Sequence, residues 1–290
     1  PNGNRDGETN LGDLITDALV WGAKQNGETV DAAITNGGGI RATIKAGDIT
    51  KKDVNTVLPF GNTLSIVKVT GTELLEALEA STYCTPDALG GFPQVSGIQF
   101  TIDTGKSYDA GALYPDSTYH APKSINRVTI QSVGGKAFDE KAVYTIATND
   151  FMAAGGDTYY AFKAASANYN IGVPMDEVLM DYIKTELKGV VGETYVKPQG
   201  RITLAKTEAP AEEPAKPAEP AQPSTPAQPA KPADGDGGET SYTVVSGDCL
   251  WNIAYRHYGS GAKFTMIAEA NGLKDPYLIN IGQVLVIPAA

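Results

Sequence analysis

Asn36-Gly37-Gly38-Gly39-Ile40-Arg41 closes the apolar run from Val30 to Ile34 and sets an amide and a guanidinium on either side of three glycines. Adjacent glycines cost backbone entropy and give a core no side chain, so they belong where backbone passes close to something else. Arg41 offers a fork of donors suited to phosphate or carboxylate oxygens. Taken alone, the run reads equally as a flexible turn after a buried strand. Two more segments bear on the choice. Leu58-Pro59-Phe60-Gly61-Asn62 and the stretch from Asn149-Asp150-Phe151 to Gly155-Gly156-Asp157 each place a Phe just before small residues. Facing one another, two such rings make a slot for a flat heterocycle, stacked on both faces. Read singly, each ring serves rather as a loop anchor packed into the core. Asp157 is an acceptor for vicinal ribose hydroxyls, and Arg5, Asn36 and Arg41 are donors for phosphate and base edge.

These residues need a scaffold, and the hydrophobic periodicity supplies one. Leu11, Leu14, Ile15, Ala18 and Leu19 lie at helical spacing, with Thr9 as N-cap. Thr50 and Asp53 have capping-box spacing for a short helix that stops before Pro59. A strand through Leu64, Ile66, Lys68 and Val69 precedes a helix through Leu74, Leu75 and Leu78. Further strands are predicted at 97–102, 127–131 and 143–148, a late amphipathic helix through Val178, Leu179, Tyr182, Ile183 and Leu187, and a closing strand at 201–204. The fold class is α/β: one mixed sheet with helices packed on it.

Composition breaks near Leu204. Residues 205–240 are almost all Ala, Pro, Lys, Glu, Gln, Gly and Ser, with proline at every third position from Pro214 to Pro232. That period matches a polyproline II helix, a semi-rigid spacer of about 55–60 Å at roughly 3.1 Å per residue. The expected organisation is therefore a domain over 1–204, a linker over 205–240 and a small domain over 241–290. In the last, short strands bracket two helices, near 250–256 and 264–270, around a core of Trp251, Ile253, Ala254, Phe264, Ile267, Leu273, Leu278, Leu285 and Ile287.

The net charge of −11 and the absence of a long Lys/Arg run argue against a nucleic acid duplex as partner. No apolar run reaches the roughly 20 residues of a membrane span. Cys84 and Cys249 lie far apart and are expected to be ordinary small side chains, and only two histidines, His120 and His257, occur. The chain begins at Pro1 with no initiator Met or signal-like segment, so Pro1 is not expected to be the native start.

Arg5-Asp-Gly-Glu8-Thr9-Asn10-Leu-Gly-Asp-Leu, Asn36-Gly-Gly-Gly-Ile-Arg41, Leu58-Pro-Phe-Gly-Asn62, Gln94-Val-Ser-Gly-Ile98 and Asn149-Asp-Phe…Gly-Gly-Asp157 together resemble the C-terminal domain of the 5′-nucleotidase family, over residues 4–204. The resemblance implies a substrate-binding domain for a nucleotide or nucleotide-sugar. Phe60 and Phe151 would sandwich the base and Asp157 would take the ribose hydroxyls. Asn36 would contact the base, and Arg5 and Arg41 the ribose–phosphate region. Gly97 would line the pocket, with Gly38, Gly39 and Asn62 as its neighbours in these motifs. Thr158 departs from the Gly that many members carry after the Asp. Catalysis in the family belongs to an N-terminal domain with two divalent metal ions, which needs several His and Asp/Asn ligands. This chain offers no such set, so no cofactor or metal is expected in it and the chain alone is expected to be catalytically silent.

The stretch from Tyr242-Thr-Val-Val-Ser-Gly-Asp-Cys-Leu-Trp to Ile281-Gly-Gln-Val-Leu-Val-Ile-Pro288 is similar to a LysM module. That similarity implies binding of peptidoglycan or another N-acetylglucosamine glycan. The implied groove lies between Gly247-Asp248-Cys249-Leu250 and the loop carrying Asn271, Gly272, Leu273, Ile279 and Asn280, with Cys249 where Ser or Thr is commoner. The leading expectation is the substrate-recognition and anchoring part of a secreted, cell-wall-associated nucleotide hydrolase. The alternative is a non-enzymatic, wall-attached nucleotide receptor. A peptidoglycan hydrolase finds no catalytic Cys/His pair or carboxylate motif in the first domain.

Overall fold

A computed structural model describes residues 3–207, 240–244, 250–258, 263–273, 279 and 282–289. The chain divides into two compact units, Pro1–Lys206 and Thr207–Ala290. The linker expected over 205–240 falls almost wholly outside the described residues.

The first unit opens with helix α1 (Asn10–Gln25), strand β1 (Ala32–Asn36) and helix α2 (Lys51–Val57), followed by β2 (Thr63–Thr70) and α3 (Gly71–Ser81). Strands β3 (Pro93–Ser96) and β4 (Ile98–Asp103) lead into a hairpin, β5 (Ala110–Leu113) and β6 (His120–Pro122). Then come β7 (Val128–Val133), β8 (Lys136–Ala137), β9 (Val143–Asn149) and two single-turn helices, α4 (Asp150–Ala153) and α5 (Tyr160–Lys163). Strand β10 (Ala167–Pro174), helix α6 (Met175–Asp181) and strand β11 (Ile202–Ala205) complete the unit, α6 running on into a π turn, Tyr182–Glu186.

Two sheets carry the fold, where one was expected. The larger has the order β10-β2-β9-β1-β3, with β1 and β9 parallel and the other pairs antiparallel. The smaller has the order β11-β4-β7-β8. The chain passes from one to the other at Gly97, between β3 and β4, with φ of +75°. A Cβ there would stand 2.6 Å from the carbonyl oxygen of Asp31, so the crossing needs glycine.

Local signals account for the helix starts. Thr9 accepts from Gly12 N at 3.0 Å, and Thr50 and Thr70 form reciprocal capping boxes with Asp53 and Glu73. The apolar stripe of α1 packs Leu14, Ile15, Ala18 and Leu19 against Val54 and Val57 of α2, Leu64 and Ile66 of β2, and Val178 and Leu179 of α6. Each such buried side chain contributes about 1.5–3 kcal/mol of transfer free energy. Strand β1 is buried along its whole length between β9 and β3, so its end is a fixed platform.

In the second unit, β12 (Thr240–Thr243) pairs antiparallel with β13 (Val284–Ile287), and α7 (Leu250–Tyr258) and α8 (Phe264–Ala270) lie between them in sequence. Its core joins Val244, Leu250, Ile253, Ala254, Ile267, Ala268, Leu285 and Ile287. Phe264 and Leu273 pack against that core, while Leu278 lies outside the described residues and the side chain of Trp251 is likewise not among those described.

Candidate functional site

The parallel pairing of β1 and β9 brings Asn36 and Asn149, the last residues of the two strands, to the same end of the larger sheet. Asn149 Nδ2 donates to Asn36 Oδ1 at 3.1 Å and to Thr35 Oγ1 at 3.2 Å. Asn36 Nδ2 in turn donates to Asp157 Oδ2 at 2.9 Å. Three residues far apart in sequence thus meet as one hydrogen-bonded chain of side chains.

The three glycines are explained by the close approach of other backbone. Gly37 N donates to Phe92 O and Gly38 N to Gly90 O, both at 2.7 Å. A Cβ on Gly37 would collide with the carbonyl of Asn4, and one on Gly38 would come 2.9 Å from that of Gly90. The glycine turn therefore admits two neighbours, the segment that carries Arg5 and the Gly90-Gly91 loop. Leu89 N donates to Arg5 O at 2.9 Å, which joins those two neighbours to each other.

Arg5 lies within electrostatic reach of both Arg41 and Asp157. Burial and the like charge of Arg41 both pull the Arg5 pKa down, while Asp157 pulls it up. Burial pushes the Asp157 carboxyl above its ordinary value, against the hydrogen bond from Asn36 and the charge of Arg5. Arg5 thus stands between a second guanidinium and a half-buried carboxylate, and Arg41 itself donates to Gly38 O at 3.2 Å. Asp157 adopts φ of +53°, a left-handed conformation, and two residues on the buried hydroxyl of Tyr159 donates to Gly91 O at 2.9 Å.

Aromatic rings flank this cluster. Phe60 follows Pro59 in the turn after α2 and is 60% exposed, and Phe151 sits in the first turn of α4 and is 43% exposed. Neither is a core anchor. The Arg41 guanidinium carbon lies 5.7 Å from the centre of the Phe60 ring, close enough for a cation–π contact. Phe60 also borders a small hollow with Thr35, Gly39, Leu58, Asn62, Asn149, Met175 and Asp176. Arg5, Asn36, Gly38, Gly39, Arg41, Phe60, Asn62 and Asp157 thus fall around one end of β1, with Phe151 in the helix α4 that follows β9. A cleft of about 1290 Å³ between α1, residues 43–51 and α6 contains none of them.

Gly97 departs from its expected place. It lies beside Asp31 and Ala32 at the opposite end of β1, where it serves the crossing between sheets. Gly90 and Gly91 instead face Asp157, an added Cβ standing 3.9 Å from its carboxylate oxygens at Gly90 and 3.2 Å from its Cβ at Gly91. The pair Gly90-Gly91, preceding Phe92, was the available sequence signal. Asn149 is the other residue the sequence reading passed over.

In the second unit Gly247, Asp248, Cys249 and Asn280 lie outside the described residues. Leu250 is 4% exposed and belongs to the core, so it does not line a groove. Asn271 is committed to structure: its Nδ2 donates to Ile267 O and Val286 O, and its Oδ1 accepts from Val286 N at 2.8 Å. Those bonds tie the end of α8 to β13. Gly272 makes the turn that follows, with φ of +63°, and Leu273 and Ile279 pack partly buried against the core.

Among the described residues no group of three or more His, Cys, Asp or Glu is placed to hold a metal ion. Those residues do not fit the dimetal centre that the family resemblance implies. No helix among them is long and apolar enough to cross a membrane.

Both units match known protein families. Residues 2–164 match the family model described as 5′-nucleotidase, C-terminal domain, and residues 242–288 match the LysM domain. The chain is 37% identical over 197 residues to the trifunctional nucleotide phosphoesterase protein YfkN of Bacillus subtilis, covering 67% of this chain and 12% of that protein. It is 36% identical to a 5′-nucleotidase of Vibrio cholerae, covering 61% and 27%, and 35% identical to cell wall protein Lmo0130 of Listeria monocytogenes, covering 62% and 22%. The chain therefore spans about a quarter or less of the length of these relatives. Among solved structures, the 5′-nucleotidase precursor of Thermus thermophilus superposes with a TM-score of 0.56 at 35% identity, covering 71% of this chain and 36% of that one. The chain belongs to the 5′-nucleotidase family, and its first unit is that family's C-terminal domain.

Proposed function

We propose that the first unit binds a nucleotide, with the base between Phe60 and Phe151, the ribose hydroxyls on Asp157 and the phosphate toward Arg5 and Arg41. The chain then acts as the substrate-recognition and wall-anchoring part of an extracellular 5′-nucleotidase-type phosphoesterase. The observation that supports this reading is the 2.9 Å bond from Asn36 to Asp157, a carboxylate within reach of Arg5, in a unit that leaves Phe60 and Phe151 exposed. Hydrolysis belongs to a dimetal domain of the kind the family resemblance implies, and the LysM unit holds the protein to peptidoglycan through its N-acetylglucosamine units. Nucleotide and glycan are thus handled by separate units on either side of the proline-rich segment.

Calorimetric titration of the purified chain with AMP, adenosine and UDP-glucose tests the first half of the reading, and co-sedimentation with insoluble peptidoglycan tests the second. Saturable binding of at least one nucleotide together with retention in the pellet is the expected pair of results. Retention without nucleotide binding removes the receptor alternative and the ligand assignment together. The alternative is a wall-attached nucleotide receptor without catalysis. Metal-dependent phosphate release by this chain alone would contradict both versions.

A further inference from the structure

We infer that Asn149 is a positioning residue for ribose recognition, setting the Asp157 carboxylate through the Asn36 amide. The inference rests on the nucleotide reading above and concerns a residue that touches no ligand. Asn149 is 1% exposed. Its Oδ1 caps α4 by accepting from Met152 N at 2.8 Å, so its Nδ2 must point back across the sheet. There it donates to Thr35 Oγ1 and Asn36 Oδ1. With its oxygen so engaged, the Asn36 amide has one orientation left, nitrogen toward Asp157, and its Nδ2 donates to Asp157 Oδ2.

The relay decides which face the Asn36 amide shows to the carboxylate. An amide turned over would set oxygen against oxygen and push Asp157 away. Each amide end in the relay has a defined donor or acceptor role, so a single cap at the start of α4 fixes polarity through to Asp157. Asp157 Oδ2 is committed to Asn36, and Oδ1 is left as the acceptor for a diol. The specificity that follows is for ribonucleosides over nucleosides that lack the 2′ and 3′ hydroxyls.

The discriminating variant is Asn149→Asp. Aspartate caps a helix as well as asparagine does, so α4 keeps its start. It has no N–H to give Asn36, and its charge turns the Asn36 amide over. Titration of the full chain with adenosine and with 2′,3′-dideoxyadenosine reads the result, with melting temperature followed in parallel. Wild type prefers adenosine. In Asn149→Asp that preference falls by roughly tenfold, the worth of a hydrogen bond to a charged group. If that variant does not fold, Asn149→Ser, which caps but cannot reach Asn36, carries the same expectation. An undiminished preference in a folded variant overturns the inference. Equal affinity of wild type for the two nucleosides also overturns it and removes the diol role of Asp157, while leaving the base slot to be judged by the Phe60 and Phe151 variants.

Discussion

The ring of Phe151 lies directly over Gly156, so that a Cβ at Gly156 would stand 2.5 Å from Cζ of the ring. The glycine is a floor under that ring, one wall of the proposed slot. Gly156→Ala should tilt the ring without disturbing the cores, lowering nucleoside affinity by roughly tenfold, since base–aromatic stacking is worth about 1–3 kcal/mol. Calorimetry of Gly156→Ala, Phe151→Ala and the double variant checks this, with no further loss expected in the double.

Nucleoside binding should depend on pH through Asp157. Burial raises its pKa above the ordinary carboxylate value, so the proton arrives earlier on acidification and removes an acceptor for the ribose hydroxyls. Affinity for adenosine should be flat at neutral pH and fall as pH drops into the upper carboxylate range. Asp157→Asn should bind weakly and lose the dependence. Titration at a series of pH values reads both.

Stability should depend on pH in the opposite sense through Asp13. Burial first, and then the neighbouring Glu8, push the Asp13 carboxyl up from 3.8 to about 7, although Arg201 and the backbone of Gln199 pull it down. The folded chain therefore binds this proton more tightly than the unfolded chain does. Stability is greatest below the ordinary value and is lost as pH rises through the window up to about 7. Thermal melts should show the first unit gaining stability as pH falls from about 8 to about 5, with the gain reduced in Asp13→Asn.

Glu79 should be among the costliest single residues in the first unit. Its fully buried carboxylate accepts from the backbone of Asn126, Arg127 and Val128, the last at 2.8 Å, and so starts strand β7. The Arg127 guanidinium beside it is buried and donates to the carbonyls of Thr82 and Thr85. Glu79→Ala removes the counter-charge and leaves those amides unmet, at a cost of about 3–5 kcal/mol. Denaturant unfolding measures it.

The capped helices and the amphipathic strands were legible in sequence because caps and periodicity are local. The late helix was read correctly to Tyr182, though its last turn is a π turn that periodicity does not distinguish. Strand β10 was missed because it is an edge strand, mostly exposed, with no apolar alternation to betray it. Helices α4 and α5 have only four residues each, less than one full pattern. Two sheets were read as one because the crossing at Gly97 leaves no mark in the apolar pattern. The candidate site residues were chosen by type, and type says nothing of the bonds that connect them. That Asn36 spends its amide on Asp157 and Asn149 follows from strand pairing, which no single segment contains. Gly97 was misplaced for the same reason, since a glycine that admits a crossing strand and one that faces a ligand look alike.

The central claim is that Phe60 and Phe151 hold a base between them. Calorimetric titration of the chain with adenosine, alongside Phe60→Ala and Phe151→Ala, tests it most directly. Saturable binding by wild type that falls at least roughly tenfold in each variant, with melting temperatures unchanged, is the result predicted from the cost of losing one stacking face. Adenosine binding that survives either substitution at wild-type strength would contradict it.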